Sequence, residues 1–323
     1  MTEARSSPVE FLALAGGVGG ARLAEGLAAQ LAPDALTIIV NTGDDFEHLG
    51  VHVSPDLDTV MYTLADLANR TTGWGRADET WNFMGALEAI GGETWFRLGD
   101  KDLATNVYRT QRLRAGATLS AVTAELCARL GVRHAVAPMS DDAVRTFVDT
   151  DAGRLAFQEY FVKRRCEPRL VGLEFAGADV AKPSDAFTRA LESSGLRAVI
   201  VCPSNPYLSV APILAMPEVA RWWSERRVPV IAVSPIVGGQ AVKGPAAKIM
   251  AELGTDVSAL GVAQHYGDRV DAWVIDTADR AISPRIEALG KRVLVTDTIM
   301  RSRELAARLA EAVIACACAL PRR

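Results

Sequence analysis

The sequence has no apolar run of the roughly 18 residues that a membrane helix needs. It is also poor in the residues that build disulfide frameworks and zinc sites, with four histidines and five cysteines in 323 residues. Cys127, Cys166, Cys202, Cys316 and Cys318 are odd in number, scattered and without Cys-x-x-Cys spacing, which argues against both. Cys316 and Cys318 fall in an Ala-rich C-terminal stretch and read as helix packing residues. His48 and His52 are separated by Gly50, so they do not form the paired face of a zinc protease helix. No Gly-x-Ser-x-Gly elbow occurs, so a serine hydrolase has no nucleophile motif. Positive charge is not in excess: the net charge is −4, and no broad footprint for nucleic acid exists. The first ten residues lack a signal-peptide pattern, so the expected location is cytoplasmic, with no membrane partner. Internal repeats, low-complexity tracts and Ser/Gly linkers are absent as well, which favours one integrated unit over about residues 10–320.

What the chain does have is a dense acidic stretch. Residues 41–62 follow the apolar run Leu36 to Val40, which reads as a buried strand, and they carry Asp44, Asp45, Glu47, Asp56 and Asp58. Gly43, Gly50 and Pro55 break regular structure, so the acids are expected on a loop at a strand end. In an open α/β sheet that is where ligands bind. Carboxylates there suit a hard divalent cation, and Mg²⁺ takes about one or two of them, completing its shell with phosphate and water. The competing reading is a solvated loop with Asp56 or Asp58 as a helix cap.

A second feature precedes it. Phe11 to Ala15 is a short apolar strand, Gly16-Gly17-Val18-Gly19-Gly20 follows, and a helix is expected from Ala21 to about Leu31. Glycines let backbone approach a phosphate, and a helix start offers unpaired N–H groups. No Walker Gly-Lys-Ser/Thr follows. The third glycine of a dinucleotide fingerprint would fall at Arg22, and Asn41 rather than an acid ends the second strand, so a nicotinamide-dependent oxidoreductase is disfavoured. Close helix packing is the alternative use of these glycines.

Helices are expected at about 59–68, 79–89 and 119–130, with another opened by Trp95 to Asp102. Residues 59–130 therefore read as an inserted helical layer covering the site. Arg133 to Ala137 is a strand, followed by a second acidic loop, Ser140-Asp141-Asp142. Val144 to Asp149 and Arg154 to Gln158 read as a hairpin within about 143–160. Beyond it, Ala198 to Cys202, Val230 to Val233, Ala272 to Asp276 and Val293 to Thr296 are strands alternating with helices. The pattern predicts an α/β fold, a Rossmann-like, doubly wound, mainly parallel sheet. Strand ends rich in Ser and Asn, such as Pro203-Ser204-Asn205-Pro206, suit a nucleotide edge, and Lys243 or Lys248 could meet a phosphate. Phe157 to Phe161 with Lys163, Arg164 and Arg165 is either a solvated basic face or a ligand contact. Leu214 to Trp223 reads as an apolar helical surface suited to a homodimer.

The glycine loop, Asn41-Thr42-Gly43-Asp44-Asp45, Ser54-Pro55-Asp56-Leu57-Asp58-Thr59, Arg97-Leu98-Gly99-Asp100, Pro138-Met139-Ser140-Asp141-Asp142, Pro203-Ser204-Asn205-Pro206 and Ser234-Pro235-Ile236 occur in one order and spacing. In these blocks the chain resembles the 2-phospho-L-lactate transferase family, also called phosphoenolpyruvate transferase, of deazaflavin coenzyme F-420 biosynthesis. The resemblance spans about residues 10–315. It implies transfer of a phospho-acid (2-phospholactate, phosphoenolpyruvate or 3-phosphoglycerate type) from a guanosine diphospho donor to the ribityl hydroxyl of the deazaflavin Fo. GMP leaves, and F-420-0 or its dehydro form results. Magnesium on Asp44 and Asp56 would neutralise the phosphates, since phosphoryl transfer asks for charge neutralisation and positioning. By resemblance Asp58 and Arg97 contact the deazaflavin, and Asp58 could serve as a base toward the hydroxyl. Gly17, Val18, Gly19 and Gly20, with Ser204 and Asn205, would lie along the guanosine diphosphate. A related family of gluconeogenesis-factor regulators, which bind nucleotide sugars, shares the glycine loop. It typically has a Gly/Ser-rich run where Phe46-Glu47-His48 stands here.

Overall fold

The structure is a computed structural model and describes residues 9–322. The N-terminal segment read for a signal pattern lies, up to residue 8, outside the described residues. Seven parallel strands form the central sheet: β1 (Phe11–Ala15), β2 (Leu36–Val40), β3 (Ala135–Pro138), β4 (Ala198–Val201), β5 (Val230–Val233), β6 (Ala272–Asp276) and β7 (Arg292–Thr296). Their spatial order is β7-β6-β5-β4-β1-β2-β3. The chain winds outward from β1 through β2 to β3, then returns beside β1 with β4 and winds the other way. This is the doubly wound, Rossmann-like α/β arrangement expected.

The strands are apolar because both faces of the sheet are covered. Side chains alternate between faces. Leu12, Leu14 and Ile39 join the core on one side, and Phe11, Ala13, Leu36, Ile38 and Val40 join that on the other. The register pairs Ala15 with Val40, Val40 with Pro138 and Leu14 with Val201. The loops after β1, β2, β3 and β4 therefore leave the same edge, and the reversal of winding between β1 and β4 opens a crevice there.

Helix α1 is Gly17–Gln30, so it starts inside the glycine loop rather than at Ala21. Residues 46–53 form a small antiparallel hairpin, Phe46–His48 with Val51–Val53. Helix α2 is Pro55–Leu64. Asp56 and Asp58 thus occupy a helical first turn, not a loop, because proline at the first helical position starts a helix rather than breaking one. The inserted layer is completed by α3 (Asn82–Ala89), α4 (Asp100–Arg114) and α5 (Leu119–Arg129). Residues 65–81 within it are a long loop, closed by a single bridge between Ala68 and Arg76. The expected hairpin is Arg145–Thr150 with Gly153–Ala156, and Leu170–Ala176 adds a third strand to it.

The Leu214 to Trp223 stretch does not present an apolar surface. Ile213, Val219 and Trp223 are buried, while Glu218, Arg221 and Ser224 face outward. The Trp223 indole donates to the Arg269 carbonyl at 2.8 Å, which fixes its ring inward. At the C-terminal helix, Arg303–Cys318, the buried positions are Ala306, Leu309, Ala310, Val313 and Ala317, and Cys316 packs half-buried against the core; Cys318 is exposed and accepts from Arg197 at 3.1 Å, so it is not a packing residue.

Candidate functional site

The glycine loop is shaped first by its protein neighbours. A side chain at Gly16 would meet Ser209 Cβ and Asp56 Oδ2 at 2.5 Å; one at Gly19 would overlap the Pro203 carbonyl, and one at Gly20 would meet Ser204 Oγ at 2.5 Å. Gly17 alone in the loop has a positive φ, 62°. Ser204 Oγ accepts from Gly16 N at 3.0 Å, which ties the loop after β4 to the loop after β1 across the crevice. The close-packing reading therefore accounts for Gly16, Gly19 and Gly20.

At the start of α1 the exposed N–H groups attract negative charge. That charge comes from the protein: Asp56 Oδ1 accepts from Gly17 N at 2.6 Å. Asp56 caps the neighbouring helix instead of its own. The amides of Val18 and Gly19 belong to the same first turn, which has no intrahelical acceptors.

Asn41, at the end of β2, organises the acids. Its Nδ2 donates to Asp44 Oδ1 at 2.8 Å and to Asp56 Oδ2 at 3.0 Å, while its Oδ1 accepts from Gly43 N at 2.9 Å. Two carboxylates sharing one amide stand close together, and both are buried, Asp44 at 9% and Asp56 at 6% exposure. Burial pushes Asp44 well above the usual carboxylate range, with Asp56 and then Asp45 adding repulsion. Burial also pushes Asp56 up to about 6, against the hydrogen bonds from Asn41 and Gly17. Among the described residues no group of three or more His, Cys, Asp or Glu side chains is arranged to hold a metal. Two crowded carboxylates are nonetheless a donor set that fits Mg²⁺, which prefers few protein ligands and completes its shell with substrate oxygens.

The other acids of the stretch are committed elsewhere. Asp45 Oδ2 accepts from Ser54 Oγ at 2.7 Å and contacts His52 Nε2 at 3.1 Å, so it braces the hairpin. Asp58 is held by Arg109 of α4, whose guanidinium reaches both carboxylate oxygens, Nη1 to Oδ2 at 3.1 Å. Arg109 is 1% exposed and also donates to Asn106 Oδ1 at 2.7 Å. One turn along α2, Tyr62 donates to Asp102 Oδ1 at 2.8 Å. Burial raises Asp58 against the opposing pull of Arg109, and it raises Asp102 to about 7, with Asp58 adding repulsion. This α2–α4 seam engages both Asp58 oxygens, which argues against the base role and for a fixed hydrogen-bond acceptor.

Arg97 is exposed and stacks on Trp81, 4.4 Å from the ring centre. It has no hydrogen bond or ion pair to Asp58 among the described residues. The rest of its motif joins two helices. Asp100 accepts from the Asn82 and Phe83 amides at 3.1 Å, capping α3, while Glu79 accepts from the Lys101 and Asp102 amides at 2.8 Å, capping α4. Gly99 is glycine because Glu79 fills the space of a side chain. Phe46, His48, Trp95 and Phe96 form a ring cluster beside the hairpin, Phe46 and Phe96 edge to face at 4.8 Å. Lys163 lies over Trp95 at 5.5 Å from the exposed side, while Phe157 and Tyr160 of the same aromatic–basic stretch are buried.

Asn205 Oδ1 accepts from the Tyr207 and Leu208 amides at 3.0 and 3.2 Å, and its Nδ2 is buried with no protein partner. Its neighbour Ser204 contacts the glycine loop through Gly16 N. Lys248 is paired with Glu252, so it is not a phosphate ligand here. Sequence reasoning missed Arg109, Asp102 and Ser209. The polar residues Asp102, Asn106 and Arg109 recur at helical spacing on the buried side of α4, and that pattern was the available signal.

A family profile described as 2-phospho-L-lactate transferase CofD matches residues 11–314. The phosphoenolpyruvate transferase of Streptomyces avermitilis is 44% identical over 96% of this chain and 98% of its own length. The 2-phospho-L-lactate transferase of Methanosarcina mazei is 36% identical over 94% of this chain and 99% of its own length. A solved structure of a UPF0052 family protein from Bacillus halodurans superposes with a TM-score of 0.60 over 95% of this chain and 99% of its own. At 16% identity that likeness shows the fold. With the profile covering nearly the whole chain and relatives this similar, the chain belongs to the 2-phospho-L-lactate transferase CofD family.

Proposed function

We propose that this chain transfers a phospho-acid from a guanosine diphospho donor to the terminal ribityl hydroxyl of the deazaflavin Fo. The hydroxyl oxygen forms the new bond to the acid-bearing phosphorus, the bond to the bridging oxygen breaks, and GMP leaves with that oxygen. The hydroxyl proton passes to solvent as the new phosphodiester forms, and charge neutralisation with in-line positioning carries the step. The observation that carries the reading is the Asp44–Asp56 pair, two buried carboxylates sharing Asn41 beside the glycine loop. A Mg²⁺ ion held there would neutralise phosphate oxygens and stabilise the leaving group.

The remaining residues orient. Asn205 Nδ2 and the first-turn amides of α1 offer donors to diphosphate oxygens. Asp58, fixed by Arg109, accepts from a hydroxyl of the acceptor. Arg97, on the exposed rim, meets the acceptor from outside, and the half-buried Phe46, Trp95 and Phe96 rings give a flat heteroaromatic a stacking wall. The higher identity to phosphoenolpyruvate transferases favours enolpyruvate as the acid. No helix among the described residues is long and apolar enough to cross a membrane.

The test is incubation with Fo, Mg²⁺ and separately prepared guanosine diphospho donors carrying enolpyruvate, lactate or glycerate, with products read by mass. A product in the enolpyruvate tube supports the reading, and a product only in another tube corrects the acid. No product in any tube, with folded protein and intact donors, overturns it.

A further inference from the structure

Of the two lysines that the sequence offers as phosphate ligands, Lys248 is held by Glu252 and Lys243 is not. Strand β5 of the central sheet runs parallel to β4, so the chain leaves it at the same edge as the glycine loop. There it makes a short antiparallel pair, Ile236–Val237 with Gln240–Ala241, before the helix Ala246–Glu252 begins. Lys243 stands between that pair and the helix, with its side chain exposed. Its Nζ donates to the Thr72 carbonyl at 3.0 Å, and it forms no ion pair among the described residues.

Gly73 shows how near this ammonium comes to the glycine loop. A side chain at Gly73 would meet Lys243 Nζ at 2.5 Å and Val18 Cγ2 at 3.1 Å. The ammonium and Val18 therefore flank one glycine, and Val18 lies in the first turn of α1. A helix start carries partial positive charge, so a cation brought beside it is repelled and not matched. Asp56 answers the amide of Gly17, but no carboxylate answers Lys243. Two loops, 65–81 and 238–245, thus bring a spare positive charge to the place where the proposed reaction lays the donor diphosphate. A phosphate oxygen offers the ammonium a full opposite charge, which the Thr72 carbonyl does not.

We propose that Lys243 is a donor-binding residue, which exchanges the Thr72 carbonyl for an oxygen of the donor diphosphate and holds that group against the start of α1. This rests on the transferase reading of the glycine loop. It assigns to the 238–245 segment a direct part in binding the donor, and to Gly73 the part of leaving room for the ammonium.

GDP is the probe, titrated by calorimetry into the full chain in Mg²⁺ buffer without Fo, so no turnover is needed. K243M is expected to bind GDP about tenfold more weakly than wild type. K243R, which keeps the charge, is expected to recover most of the loss. The gap between wild type and K243M should narrow as salt rises, because the contact is ionic and near the surface. Urea unfolding of K243M is expected to match wild type, since the residue is exposed. Equal GDP affinity in wild type and K243M overturns the proposal and leaves the donor reading standing. So does a K243M that loses stability and keeps its affinity, which would make Lys243 a tether between two loops. Absence of GDP binding in wild type overturns the donor reading and this proposal with it.

Discussion

Asp56 and Asp58 stand two residues apart on the first turn of α2, and their surroundings are opposite. Asp58 is closed against α4 with a guanidinium on both oxygens. Asp56 faces Asp44 with the shared amide, one backbone N–H and the Ser209 hydroxyl for compensation. Both are buried. A buried charge must be matched, by a partner inside the protein or by one that arrives. One half of the Asp-Leu-Asp motif is therefore matched by a guanidinium within the protein, whereas the other stands beside a second carboxylate. The general lesson is that the function of a buried carboxylate is read from what is missing around it.

The widest separation between the two regions is expected when Arg109 is removed. R109M leaves Asp58 buried and unpaired, which costs about 3–5 kcal/mol, whereas the double variant D58L/R109M recovers much of it. Urea unfolding of the two variants measures this; equal stability of R109M and wild type would make the seam energetically idle. At Asp56 the effect moves to function. D56N keeps a donor-acceptor side chain at the α1 cap, yet transfer should fall about 100-fold to 1000-fold as charge stabilisation at the phosphates is lost. Steady-state rates check this, with Mg²⁺ affinity by calorimetry as a second readout. A D56N enzyme with full rate and unchanged Mg²⁺ affinity would remove the acid pair from the mechanism.

Much of this architecture was legible. The strands are short apolar runs because the sheet is covered on both faces, and Leu36–Val40, Val230–Val233 and Ala272–Asp276 have the predicted bounds. The edge at which Gly16 and Ser204 meet followed from strand order, since both loops leave C-terminal strand ends. Local readings failed where a residue type has two uses. Pro55 reads as a breaker in the sequence but starts a helix in the structure, so α2 begins four residues before the expected Thr59. The glycines of the loop suit phosphate approach or close packing, and the structure shows a packing use at Gly16, Gly19 and Gly20, where Ser209, Pro203 and Ser204 fill the space. The Asp58–Arg109 pair joins residues 51 apart on different helices, and no periodicity within either helix encodes that meeting. Leu170–Ala176 was missed because its burial does not alternate cleanly, so its sequence carries no strand period.

Proton linkage sharpens the comparison at a smaller scale. Burial pushes Asp56 up to about 6, above the ordinary carboxylate value of 3.8, so the folded protein holds the proton more tightly than the unfolded chain. Stability from this group is greatest at low pH, where Asp56 is neutral, and falls as pH rises from about 4 to about 6, by about 3 kcal/mol in total. Asp44, shifted in the same direction, adds to the loss. Acid denaturation by other groups runs the opposite way. The clean readout is therefore the difference between wild type and the D44N/D56N pair, measured by urea unfolding from pH 4 to pH 7. The variant is expected to lack this loss, and Mg²⁺ should reduce it in the wild type above pH 6. Parallel curves without metal would show that the pair is already compensated.

The smallest expected effect separates the glycines themselves. Gly17 has open space at its Cβ position, the nearest atom being Asp56 Oδ1 at 3.9 Å, but its φ of 62° disfavours any side chain. G17A should cost about 1–2 kcal/mol from the backbone. Gly19 has an ordinary φ, but its Cβ would overlap the Pro203 carbonyl, a backbone atom with little freedom to yield. G19A should cost about 1–3 kcal/mol, from overpacking. The two losses differ little in size and differ in origin, so a second change tells them apart. Pro203→Gly removes the ring and loosens the loop that crowds Gly19, and it has no bearing on the dihedral of Gly17. The penalty of G19A should shrink in that background and the penalty of G17A should persist. If both penalties persist unchanged, crowding by the loop after β4 is not what requires glycine at position 19, and the backbone-approach reading of the loop regains its place.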